Sequence, residues 1–101
     1  MNETLIEQRV GQVEHFFSKL HVATVRLEAA VRLGDRLHVK GRNDDFVVKV
    51  KSMQLDHKPI EAAKAGQVVG IQMPAKAHAG DAVLRSEAKA RWGWLSRLLG
   101  S

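Results

Sequence analysis

Cysteine is absent from the 101 residues, which excludes a disulfide framework and any Cys-based zinc site and removes any argument for an oxidising compartment. No run approaches the ~20 apolar residues needed to span a bilayer. The opening segment from Met1 to Val10 carries Glu3 and Glu7 and lacks a continuous apolar stretch, so it does not read as a secretory signal. A cytoplasmic location is the expectation. Neither Gly-x-x-x-x-Gly-Lys-Ser/Thr nor Gly-x-Gly-x-x-Gly occurs, so no phosphate cradle is available and no nucleotide is expected to bind. None of Ser18, Ser52, Ser86, Ser96 and Ser101 sits in a Gly-x-Ser-x-Gly elbow, and the expected catalytic set is empty. The histidines His15, His21, His38, His57 and His78 are scattered and never paired at metal spacing, although His15 and His38 could approach each other across neighbouring strands. No metal, cofactor or enzymatic activity is expected.

What is present is an ordinary globular composition. Hydrophobic residues make up 45% and charged residues 27%, unlike the signature of a disordered chain. A domain of this length hides roughly 60–70% of the surface its unfolded chain exposes, enough for one core. Sixteen Lys and Arg against eleven Asp and Glu give a net charge of +5. That balance suits an anionic partner such as RNA or a membrane surface, although many small basic domains bind no anion specifically.

Short runs rich in Val, Ile, Leu, Thr and Phe, broken by Gly, Asp, Asn or Pro, make residues 8–85 all-β. The predicted strands are Gln8–Phe17, Val22–Glu28, Asp35–Gly41, Phe46–Leu55, Gln67–Met73 and Ala82–Arg85. Alternation puts Val25, Leu27, Leu37, Val39, Phe46, Val48, Val50, Val69 and Ile71 on the inner face. A parity change after Val50 predicts a bulge near Lys51-Ser52. Gly34 and Gly80 each precede an Asp at a strand start, where φ > 0 serves a turn, and Asp44-Asp45 reads as a hairpin tip rather than an acid pair. The stretch from Lys58 to Gly66 reads as a connector with at most one helical turn. Half-buried strands must hide their edges, and closure into a small antiparallel β-barrel is the economical solution.

Residues 1–7 read as a lead-in and 86–101 as a tail. After Ser86, a capping residue, Ala88, Trp92, Leu95 and Leu99 recur at helical spacing, predicting a short amphipathic C-terminal helix. Trp92, Trp94, Leu95, Leu98 and Leu99 are the candidate partner-binding residues of this tail, for a protein or a membrane surface.

Arg26, Arg36, His38, Lys40, Lys49 and Lys51 fall on the outward side of three consecutive predicted strands, and are the candidate RNA-binding residues. A solvated charged face is also what any half-exposed sheet presents. Phe16 and Phe17 cannot both point inward in a regular strand; one is available for stacking unless a bulge or strand end buries both.

The order Val10-Gly11-Gln12-Val13, Ala23-Thr24-Val25-Arg26-Leu27, Val31-Arg32-Leu33-Gly34-Asp35-Arg36-Leu37, Val50-Lys51-Ser52-Met53-Gln54-Leu55, Ala65-Gly66-Gln67-Val68-Val69-Gly70-Ile71 and Ala79-Gly80-Asp81 resembles the second domain of elongation factor Tu. The run Ser52-Met53-Gln54-Leu55-Asp56-His57-Lys58-Pro59 is similar to free-standing elongation-factor-like small proteins. A second resemblance is to the accessory barrel at the end of collagenase-type peptidases, with a Pro near Pro74 and a Gly-Asp near Gly80-Asp81. The first resemblance implies a closed barrel of six or seven strands and a non-enzymatic module contacting RNA or a ribosomal component in translation. The alternatives are an adaptor acting through the tail, and a subunit that positions substrate for a separate catalytic chain. Where these relatives carry Gly between the first two strands, this chain has His21.

Overall fold

The computed structural model describes residues 4–89, and every regular element among them is a strand. The strands are β1 (Thr4–Phe17), β2 (Val22–Leu27), β3 (Val31–Arg32), β4 (Arg36–Lys40), β5 (Asp45–Lys49), β6 (Met53–Leu55), β7 (Lys58–Pro59), β8 (Ala62–Ala63), β9 (Val68–Gln72) and β10 (Ala82–Lys89). Eight form one antiparallel sheet in the order β5-β4-β10-β1-β2-β9-β6-β7, and β3 pairs with β8 separately.

β1 organises the sheet because it is long enough to serve two partners. Its first part pairs with β10 and its second with β2, and each ladder slips register once, at Arg9/Gly11 and at Val13/His15. Such bulges bend and twist a strand, which rolls the sheet around its apolar face. Gly11 makes the first possible: a Cβ there would lie 2.7 Å from the Arg26 carbonyl oxygen and 2.9 Å from Val25 Cγ1. The bulges also defeat simple alternation, since Val10 and Val13 are both buried.

The inner face matches the alternation elsewhere. Val25, Leu27, Leu37, Val39, Val48, Val50, Val69 and Ile71 are buried, while Phe46 only packs partly against that core. Val31, on the two-residue β3, and Val83, near the start of β10, join it.

Three turns share one construction. At Arg32–Asp35, Lys64–Gln67 and His78–Asp81 the last residue donates its N–H to the first carbonyl, and its side-chain oxygen accepts the first residue's N–H at 3.0, 2.9 and 2.9 Å. Gly34, Gly66 and Gly80 fill the third position at φ of 93–96°, a conformation that costs other L-residues energy.

Four expectations need correction. The barrel is not closed: among the described residues no ladder joins β5 to β7, the two ends of the sheet order. The predicted strand Phe46–Leu55 is two strands, because Val50 leaves β5 and bonds the β3–β4 turn, donating to the Asp35 carbonyl oxygen at 2.9 Å and accepting from Gly34 N at 2.8 Å. Three residues, 50–52, then carry the chain from β5 at one end of the order to β6 near the other. So short a link spans at most ~11 Å, so the sheet is rolled but its seam is left unstitched. The described residues form ten strands rather than six or seven, since β3, β7 and β8 are two-residue pieces that no pattern marks. The tail helix expected from Ser86 is not found over Ser86–Lys89, which extends β10, because residues 4–7 of the supposed lead-in supply its partner through Glu7↔Ser86 and Thr4↔Lys89. The tail residues Trp92, Trp94, Leu95, Leu98 and Leu99 lie outside the described residues. No helix among the described residues is long and apolar enough to cross a membrane.

Candidate functional site

The six basic residues singled out in the sequence do not form one patch. Arg26 stands on β2, separated from β4 by β1 and β10, and its Nε donates to Glu14 Oε2 at 2.6 Å. His38 is bracketed by carboxylates, with Nδ1 2.5 Å from Glu7 Oε2 and Nε2 2.5 Å from Asp45 Oδ1. The Glu7 hydrogen bond first, and the Asp45 bond second, hold the imidazole above its ordinary value, while Asp45 is held below the usual carboxylate range by His38. His38 is therefore committed to an internal charge network. Lys40 stands opposite Asp45 in the β4–β5 register. The basic residues that gather are Arg36 on β4 opposite Lys49 on β5, with Lys51 just beyond, at one end of the sheet order.

His15 does not approach His38: it stands near the far end of β1, opposite Thr24 of β2 and beyond the Thr4–Gln12 stretch that pairs with β10, and its ring packs edge-on against Phe17 at 4.3 Å. Phe16 packs partly against the core, and Phe17 is exposed.

A second constellation has no sequence spacing to announce it. Asp44, His78 and Asp81 converge from the β4–β5 loop and the turn before β10, with one donor atom of each within 4.8 Å of the others. His78 Nδ1 is 2.6 Å from Asp44 Oδ2, and His78 N donates to Asp81 Oδ2 at 2.9 Å. Asp81 is buried, and that burial, followed by its hydrogen bond to Asp44, pushes its carboxyl up. Asp44 is held down, mainly by the same hydrogen bond and then by His78. The two shifts are opposed, as expected of neighbouring carboxyls of which the buried one, Asp81, gives up its proton at the higher pH. These three side chains are also the set among the described residues able to hold a cation, although their mutual hydrogen bonds satisfy them without one. The loop from Gly41 to Asp44 is the hairpin tip expected, but the adjacent acids diverge, Asp44 to this cluster and Asp45, the first residue of β5, to His38.

A groove of about 420 Å³ lies between β5 with the residues after it and the end of β9. Val47, Val48, Lys49 and Lys51 form one wall and Gln72, Met73 and Pro74 the other. Val47 is 55% exposed there. Among the described residues its lining holds two cations, Lys49 and Lys51, and no carboxylate or hydroxyl.

No protein-family model matches the chain. The chain is 36% identical over 75 residues to an uncharacterized protease of Methanocaldococcus jannaschii, a match over 73% of this chain but 18% of that protein. The chain thus spans under a fifth of that relative. In fold it is similar to the C-terminal domain of a U32 peptidase from Geobacillus thermoleovorans. One structure of that domain aligns at TM-score 0.73 and 18% identity over 77% of this chain and 98% of the domain. Another aligns at 0.72 and 19%, over 79% and 92%. At such identity the two structures establish the shared fold. The resemblance to elongation factor Tu, and with it the role in translation and RNA binding, is overturned by these similarities to peptidase proteins. The features that carried it, short alternating strands in order with glycine turns such as Ala65-Gly66 and Gly80-Asp81 between them, are what a small rolled antiparallel sheet requires whatever it binds. The second resemblance, to a barrel terminating a peptidase, lies on the side of the comparisons.

Proposed function

We propose that the chain is a non-catalytic accessory domain that holds unfolded polypeptide for a peptidase catalytic unit. The observation that carries this reading is the alignment with 98% of a domain standing at the C-terminal end of a U32 peptidase. What the chain shares with the peptidase is the appended domain. The similarity to a protease of which it spans 18% supports the same division of labour. The residues agree with it, since the groove beside β5 has apolar walls and two lysines but no group to attack a peptide bond. A domain of this kind raises the local concentration of substrate near a tethered or partnered active site.

The test uses reduced, carboxymethylated α-lactalbumin, a permanently unfolded and acidic polypeptide. Titration into the purified chain is expected to give saturable binding, with intact mass unchanged after long incubation. Cleavage of the polypeptide by the purified chain, or no binding at all, overturns the reading.

A further inference from the structure

The groove beside β5 is bounded by a strand edge that no described residue pairs with. Val50 turns both backbone groups toward the β3–β4 turn, and the Asp44 carbonyl accepts from Gly41 N at 2.8 Å on the same side. The β4–β5 register is unbroken from Arg36↔Lys49 to Lys40↔Asp45. Backbone direction alternates along an antiparallel strand, so even-numbered residues of β5 bond β4 and the N–H and C=O groups of Val47 and Lys49 point away from it. Among the described residues β5 pairs with β4 alone.

The two ends of the sheet differ in how they are guarded. β7 is two residues long and ends in Pro59, which has no N–H to offer. β5 has five residues and no proline. Pro74, on the facing wall, lacks the N–H that a closing ladder would need from that position. An open edge of this length, beside a groove, is a template for one more strand.

We propose that an extended polypeptide binds as an added strand on the outer edge of β5, along this groove. It rests on the accessory-domain reading above and deepens it by naming the site and the class of segment. Side chains of an added strand alternate. Those facing inward meet Val48 and Met73, and those facing outward lie beside Lys49 and Lys51, with no acid in the lining. The preferred segment alternates apolar and acidic residues.

The experiment is amide hydrogen exchange by NMR on the full chain, with the blocked hexapeptide Glu-Val-Glu-Val-Glu-Val and its Lys-Val counterpart as probes. The acidic peptide is expected to bind and to slow exchange at Val47 and Lys49 by about tenfold or more, leaving Val48, already bonded to β4, little changed. Val47→Pro removes one edge donor and is expected to abolish binding. Lys49→Glu combined with Lys51→Glu is expected to transfer preference to the Lys-Val peptide, which keeps the test decisive should the proline variant fail to fold. Acidic-peptide binding without protection at Val47 and Lys49, or undiminished binding by a folded Val47→Pro variant, overturns the edge site while leaving the accessory-domain reading intact. Binding of unfolded lactalbumin but of neither peptide does the same. Loss of every polypeptide ligand overturns both.

Discussion

Gly41 lies so close to Asp81 that a Cβ at position 41 would stand 1.9 Å from Asp81 Oδ1 and 2.6 Å from its Cγ. The carboxyl has little room to retreat, because it is buried and caps the His78 N–H. Gly41→Ala therefore evicts it, and the expected loss is about 1–3 kcal/mol in urea unfolding. In an Asp81→Ala background the same substitution is expected to be nearly neutral. Additive losses in that double-mutant cycle would show that the two residues are not coupled.

The opposed shifts of Asp44 and Asp81 give a pH signature. Asp81 is raised above its ordinary carboxylate value by burial. Its protonated form therefore contributes stability that is fully present below the unfolded-state value, and that contribution is lost as pH rises through the raised folded one. Asp81→Asn imitates the protonated state, and its amide has a donor for the Asp44 carboxylate. Thermal melts from pH 3 to pH 8 should show the variant gaining stability relative to the native chain as pH rises. A difference that does not change with pH would contradict the assignment of the proton.

Among the described residues three non-glycine residues carry left-handed backbone: His21 at φ 54°, Asp56 at 53° and His57 at 63°. Asp56-His57 occupies the two-residue β6–β7 hairpin, where Asp-Gly is favoured. His21→Gly and His57→Gly are each expected to raise stability by about 0.5–1 kcal/mol by removing the Cβ strain. The bond from Met73 N to the His21 carbonyl, 2.7 Å, involves backbone only and survives the change. A lowered melting temperature in both variants would show that the imidazoles, not the backbone, set these turns.

Register along β5 is testable by contrast. Val48 is 3% exposed and Val47 55%. Val48→Asp should unfold the domain, since an unpaired buried charge costs several kcal/mol against a total of about 5–15. Val47→Asp should melt within a few degrees of the parent. Equal effects on circular-dichroism melts would mean that the strand faces are wrongly assigned.

Much of the fold was legible because strand alternation survives wherever one face is buried, as in Leu37 and Val39 or Val48 and Val50. The glycine turns were legible too, since Gly34 and Gly80 take the positive φ that their neighbours imply. His21 was marked as a departure from glycine, and it adopts the backbone that glycine would have taken. Closure was misjudged because whether an edge is paired depends on which strands meet after rolling, and the link at 50–52 carries no signal for that. The Ser86–Lys89 segment was read as helix because helical spacing in the residues after it ignores the strand partner that residues 4–7 provide. The candidate site was least legible. Asp44 and His78 are 34 residues apart, and the open edge of β5 is a property of backbone direction, which side-chain identity does not encode. The basic residues were found individually, but their grouping assumed that consecutive strands are neighbours, and β10 and β1 intervene between β4 and β2.

The central claim is that this domain recognises extended polypeptide backbone, and the most direct measurement compares one polypeptide in two states. Calorimetric titration of the chain with reduced, carboxymethylated α-lactalbumin and with the native disulfide-bonded protein holds sequence nearly constant while removing free backbone. The account predicts saturable binding of the unfolded form and no detectable heat with the native form. Equal affinity for both, or heat with the native protein alone, would contradict it.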